Sequence, residues 1–157
     1  MSSLNSLHQL CIAKGVSISV AESCTSGIIA SKLTALSGSS SYFKGGIVAY
    51  QNEIKTKFLA VSQSIINEKT DVSPEVVIQM AKSILEKFNT DFSIASSGYT
   101  GPTGGTNKNP IGTVFIAIAS KFDVAVSRFI FLGNRQSIAN QASESALSLL
   151  LTEIKKQ

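Results

Sequence analysis

Hydrophobic positions along this chain switch between two periods. Leu4, Leu7, Leu10 and Cys11 recur at helical spacing and predict a first helix, with Ser2–Ser3 to cap it and Gly15 to end it. Val16 to Ala21 alternates apolar and small polar residues, as a strand does. A turn of small residues, Glu22 to Gly27, leads into Ile28, Ile29, Leu33 and Leu36 at helical spacing, so the expectation is strand, tight turn, helix. Gly38–Ser41 reads as a loop, Ile47–Tyr50 as a buried second strand ending at Tyr50, and Asn52 to Ala60 as a short helix with Ile54, Phe58 and Leu59 inward. A short turn follows near Ser64–Glu68. Ser73-Pro74-Glu75 is a helix start, with an N-cap serine, proline at the first position and an acid in the first turn. Val76, Val77, Met80, Ile84, Leu85 and Phe88 carry that helix to about Asn89.

Phe92–Ala95 is a third strand, Gly98–Pro110 a long loop, and Ile111–Ala119 and Val124–Phe131 two more strands. Only Lys121-Phe122-Asp123 separates the last two, which predicts an antiparallel hairpin. Gln136–Lys155 forms a final helix, with Ile138, Ala142, Ala146, Leu149, Leu150 and Ile154 on one face. The order α-β-α-β-α-α-β-loop-β-β-α predicts an α/β fold: a single-domain sandwich on a mixed, mainly parallel sheet with an antiparallel C-terminal hairpin.

Composition narrows the chemistry. A length of 157 residues suits one domain, and with only 7% aromatic residues and no Trp, aliphatic side chains and alanine must fill the core. The net charge of +4 is scattered rather than blocked, so no basic stripe tracks a nucleic-acid backbone. No apolar run approaches the roughly 18 residues of a membrane span. The first ten residues lack the charged and apolar regions of a secretory signal. Cys11 and Cys24 show no metal-like spacing, and together these features point to a reduced, cytoplasmic setting. His8 is the one histidine, and it lies beside the apolar stripe of its helix, at the solvent edge. Histidine-rich metal sites are excluded, and a nucleophile here must find another base.

Four segments can carry chemistry. In Glu22-Ser23-Cys24-Thr25-Ser26-Gly27 a strand gives way to a helix, where unpaired backbone N–H groups can hold an oxyanion or phosphate and a serine hydroxyl lies at the sheet edge. The same hydroxyls could equally serve only as helix caps. Tyr50 and Lys55, one helical turn apart, can reach that edge, and a buried lysine can act as a base. The loop around Gly98, Gly101, Gly104, Gly105 and Thr106 fits neither phosphate-loop nor dinucleotide fingerprints, but its glycines can turn N–H groups inward around an anion. Arg135 opens the last helix beside exposed N–H groups, a placement that suits a bound anion. Ser41-Tyr42-Phe43-Lys44 matches an S-x-x-K pattern, but its companion elements are missing and it is set aside.

Taken together, these segments resemble the CinA C-terminal domain family, which includes nicotinamide-mononucleotide amidohydrolases. The likeness rests on Ala21-Glu22-Ser23-Cys24-Thr25, Gly38-Ser39-Ser40, Gly45 to Lys55, Val72-Ser73-Pro74-Glu75-Val76, Ser97-Gly98, Gly101-Pro102, Gly104-Gly105-Thr106, Lys108, Pro110, Gly112-Thr113, Gly133 and Arg135. It implies a single domain over residues 1–157 that hydrolyses nicotinamide mononucleotide to nicotinic acid mononucleotide and ammonia, in pyridine-nucleotide salvage. The family's serine, tyrosine and lysine fall on Ser23, Tyr50 and Lys55. Lys55 would take the serine proton directly or through Tyr50. Cys24, Thr25 and Ser26 would form the oxyanion turn, and the glycine loop with Arg135 would hold the ribose phosphate. No metal or organic cofactor is implied.

This chain departs from the family at Ser26, where a second glycine is usual, at Tyr99-Thr100, where small aliphatic residues are usual, and at Asn134, where an aspartate is usual. Family members often carry an N-terminal domain resembling molybdopterin-binding proteins. A chain of 157 residues has no room for it, so its pyrophosphatase activity is not expected. Two other functions compete: a non-catalytic nucleotide- or phosphosugar-binding module, and an interaction protein tied to competence or DNA damage. The expected partner is a small nucleotide substrate, not a membrane or nucleic acid, and a homodimer is the default assembly.

Overall fold

A computed structural model describes residues 2–157. Its elements are α1 (Ser3–Lys14), β1 (Ile18–Glu22), α2 (Ile28–Leu33), β2 (Phe43–Val48), α3 (Asn52–Leu59), α4 (Gln63–Lys69), α5 (Pro74–Phe88), β3 (Phe92–Gly98), β4 (Thr113–Ser120), β5 (Val124–Ile130) and α6 (Arg135–Lys155). The five strands form one open sheet in the order β2-β1-β3-β4-β5. β1 pairs in parallel with both β2 and β3, whereas β4 runs antiparallel to β3 and β5. Four of the five strands therefore point the same way, and the expected mixed sheet with its C-terminal hairpin is observed.

Residue size along each strand assigns the two faces. Ile18, Val20, Phe92, Ile94, Val114, Ile116 and Ile118 pack with Leu7, Cys11, Ile29, Leu33 and the apolar side of α6. The opposite face carries small residues: Ala21, Ala95, Ala117 and Ala119 lie beneath Val76, Val77, Met80 and Ile84 of α5. Small residues let the helix sit close. Ser19 and Ser93, also on that face, donate to the α5 carbonyls of Ile84 and Ala81, so their buried hydroxyls are satisfied. Among the described residues no helix is long and apolar enough to cross a membrane.

Several boundaries differ from the sequence reading. β2 begins at Phe43, not Ile47, and ends at Val48, so Tyr50 lies beyond the strand. Its pairing partner β1 ends at Glu22, whose carbonyl accepts the last bond from Ala49 N, and nothing remains for Tyr50 to pair with. β2 is an edge strand with alternating burial, not a buried one. The turn near Ser64–Glu68 is the helix α4, held by Ile66 in the core with Val61 and Val72. α2 stops at Leu33, short of Leu36, and β4 starts at Thr113 rather than Ile111. Phe58 is 46% exposed rather than inward. The buried positions of α3 are Lys55 and Leu59, four apart on one face, and this setting turns Phe58 outward. In α6, Leu147 is fully buried while Leu149 is only partly so.

Candidate functional site

The connection from β1 to β2 runs through α2 on one face of the sheet. The connection from β2 to β3 runs through α3, α4 and α5 on the other. The C-terminal end of β1 is therefore a topological switch point, where open α/β sheets bind ligands. Ser23 is the first residue beyond it. Ser23, Cys24, Tyr50, Asp71, Gly98, Gly101 and Arg135 all line one open cavity of about 250 Å³, together with Val72, Tyr99, Thr100 and Thr103.

Glu22 builds the turn that presents Ser23. Its fully buried carboxylate accepts from Thr25 Oγ1 at 2.6 Å and from Ile29 N and Ala30 N, both at 3.0 Å. It thus caps α2, which Gly27 leaves without a side-chain cap. Ser96 Oγ lies 2.7 Å from Thr25 Oγ1, and Ser23 N donates to Ser96 O at 3.1 Å. The turn is locked below, while the Ser23 hydroxyl makes no hydrogen bond to any described residue. The Cys24 and Thr25 amides are likewise unbonded. The Thr25 side chain belongs to the buried scaffold, not the cavity wall. Ser26 is exposed with φ +45, in the left-handed region that favours glycine, and its side chain stays off the wall.

Lys55 is fully buried. Its Nζ donates to Tyr50 O at 3.0 Å. Burial pushes its pKa below the usual lysine range, and the Asp71 charge opposes that shift more weakly. The neutral amine is thereby more accessible than in a solvent-exposed lysine. Burial also pushes the Cys24 thiol up to about 12, which leaves it without thiolate at neutral pH. Of the two neighbours, Ser23 is the available nucleophile. His8 contributes nothing to the cavity: its Nδ1 lies 3.0 Å from the hydroxyl of the buried Tyr42. Tyr42 itself donates to Leu33 O, and Lys44 donates to the carbonyls of Phe88 and Asn89 at the end of α5, so the S-x-x-K segment is structural.

Tyr50 does not pair its hydroxyl with Ser23 or Lys55. The side chain is 53% exposed, and its hydroxyl accepts from Arg135 Nη2 at 2.6 Å. Arg135 Nη1 donates to Gly101 O at 2.8 Å, which ties α6 to the glycine loop. Only the first half of that loop faces Ser23. Gly104, Gly105 and Thr106 lie off the wall, because Thr106 and Asn109 bond each other and Arg128 holds Lys108 O and Asn109 Oδ1 against β5. Tyr99 lines the cavity without filling it, its ring packed near Gly104. Asn134 still caps α6, accepting from Ser137 N at 2.9 Å.

A larger cavity of about 580 Å³ lies between α4, α5 and the far half of the loop. Its Ser73, Thr70 and Thr106 hydroxyls are all committed to caps and turns, so none of the three is a free nucleophile. Among the described residues no three His, Cys, Asp or Glu side chains converge as metal ligands would. Sequence reasoning missed Asp71 and the scaffold role of Glu22. A buried acid seven and eight residues before two unpaired helix amides was a readable signal for Glu22; Asp71 had none.

An open sheet covered on both faces, with an unpaired serine in a cleft at its switch point and a buried lysine on α3, defines the class as an α/β protein with a ligand-sized cleft at its sheet edge. The chain belongs to the CinA C-terminal domain family, whose model matches residues 2–154. It is 43% identical over 142 residues to a CinA-like protein of Desulfotalea psychrophila, covering 90% of this chain and 34% of that one. It is 44% identical over 150 residues to a CinA-like protein of Flavobacterium psychrophilum, covering 96% and 36%. The chain thus spans about a third of the length of these curated relatives. Among solved structures, a competence-damaged protein (CinA) superfamily protein from Klebsiella pneumoniae superposes with a TM-score of 0.94 at 29% identity, covering 100% of both chains. One from Escherichia coli gives 0.90 at 33% identity, covering 96% of this chain and 90% of the other.

Proposed function

We propose that this domain is a serine amidohydrolase that converts nicotinamide mononucleotide and water to nicotinic acid mononucleotide and ammonia. The observation that carries the reading is the Ser23 hydroxyl: free of hydrogen bonds, on the cavity wall, next to the unbonded Cys24 amide. Ser23 Oγ attacks the carboxamide carbon. Lys55, as a free amine, keeps its lone pair for the serine proton while one N–H stays on Tyr50 O. The unbonded Cys24 amide, on the cavity wall, receives the oxyanion. The proton passes to the departing ammonia, and water then cleaves the acyl-serine with Lys55 again as base.

The proton goes directly to Lys55, because a relay through Tyr50 would require its hydroxyl to leave Arg135. Arg135, held by Gly101 O and Tyr50, presents its guanidinium to the phosphate. The test is ammonia release from nicotinamide mononucleotide by the wild type and by Ser23→Ala. Release by the wild type and a loss of at least about a thousandfold in the variant are expected. A folded wild type that releases no ammonia would overturn the assignment.

A further inference from the structure

We infer that Asp71 is a specificity-determining residue, whose carboxylate on the cavity wall selects ligands that carry a positive charge on the ring bearing the carboxamide. This rests on the amidohydrolase reading and names the charge state of its substrate.

Asp71 lies in the short connection between α4 and α5, within the layer opposite α6 and its Arg135. Both residues line the cavity with Ser23, so one site carries a carboxylate from one layer and a guanidinium from the other. The backbone at Asp71 is fixed. Ser97 Oγ donates to Asp71 O at 2.7 Å, and Ser73 Oγ donates to Thr70 O at 3.1 Å. The carboxylate itself takes no hydrogen bond and no ion pair among the described residues, so the backbone carbonyl does the structural work and the side chain of this cavity-lining residue is left uncommitted. Lys55 makes no ion pair with it: Lys55 lies off the wall, and the Asp71 charge acts on it only as a weaker opposition to the burial that lowers its pKa. A ligand with an anionic phosphate and a cationic ring matches this polarity. Nicotinamide mononucleotide is such a molecule, because its glycosylated pyridinium nitrogen is positive. Its dihydropyridine form keeps the carboxamide, ribose and phosphate but has a neutral ring.

The experiment measures dissociation constants of both forms by titration calorimetry, in Ser23→Ala and in Ser23→Ala with Asp71→Asn, which excludes turnover. Ammonia release is followed separately with Ser23 intact. Asp71→Asn is expected to weaken binding of the pyridinium form by about tenfold and leave the dihydropyridine within about twofold. Asp71→Glu should retain most of the preference. An equal loss for both ligands, or no change in either, overturns the inference. Ammonia release without a charge preference refutes this inference alone, and a charge preference without ammonia release refutes the amidohydrolase reading alone. Failure to bind either mononucleotide refutes both.

Discussion

Arg135 Nη2 donates to the Tyr50 hydroxyl at 2.6 Å, joining residues 85 apart in sequence across the mouth of the Ser23 cavity. The same tyrosine offers its carbonyl to Lys55 Nζ. One residue thus separates the two basic side chains: its main chain engages the lysine and its side chain engages the arginine.

That separation predicts a division of kinetic effects. Arg135→Ala should raise KM for the mononucleotide by about tenfold or more and change kcat little, because phosphate contact is made equally in ground and transition states. Arg135→Lys should rescue only part of it, since a point charge cannot hold Gly101 O and a phosphate together. Steady-state kinetics on the two variants decide the matter. A fall in kcat with KM unchanged would place Arg135 in the chemical step instead.

The lowered pKa of Lys55 sets the pH dependence. The base form grows as pH rises through that pKa, so kcat/KM should climb on a limb below the usual lysine range. Asp71 favours the ammonium, so Asp71→Asn should move the limb to lower pH. A limb that stays in place in both Asp71→Asn and Lys55→Met would remove Lys55 as base. Stability follows the same sign. Between the folded and unfolded pKa values of Lys55 the unfolded chain binds the extra proton, so folding stability rises with pH through that window. Lys55→Met should abolish that slope in urea titrations and leave the neutral-pH midpoint at or above the wild-type value, because a buried charge-bearing group is replaced by an apolar one.

Glu22 stabilises the nucleophile turn. Glu22→Gln keeps the shape but trades one acceptor oxygen for a donor facing the Thr25 hydroxyl or the Ile29 and Ala30 amides. A loss of about 1–3 kcal/mol in chemical denaturation is expected, together with reduced ammonia release.

Ser26 carries strain. At φ +45 a side chain is disfavoured, so Ser26→Gly should gain about 0.5–1 kcal/mol in thermal unfolding. Since Ser26 lies off the cavity wall, its kcat/KM should stay within about twofold of wild type. A larger change would place the Ser26 side chain in the oxyanion turn.

Local rules were sufficient where the information was local. Ser73 caps α5 by accepting from Val76 N, with Pro74 and Glu75 in its first turn, as the Ser-Pro-Glu start predicts. The three-residue link at Lys121–Asp123 gave the β4–β5 hairpin, and the small-residue stretch after β1 gave the turn that carries Ser23. They failed at β2, where Gly45 and Gly46 weaken any strand signal. A Cβ on Gly46 would lie 2.4 Å from Val20 O, so this glycine is fixed by the approach of β1 and not by its own segment.

The sequence by itself determined the order and most of the types of the elements, because capping residues and hydrophobic period act over a few neighbours. It also supplied Ser23, Tyr50 and Arg135 of the candidate cleft, and Lys55. Tertiary structure alone decided how they meet. Lys55 occupies a core position because the buried face of α3 runs through Lys55 and Leu59, and only that burial lowers its pKa. Tyr50 turns to Arg135 because β2 ends where β1 can no longer pair with it. Asp71 reaches the cavity because Ser97, on a strand 26 residues away in sequence, anchors its carbonyl. Such outcomes depend on contacts between segments distant in the chain, which no local pattern of residue types records.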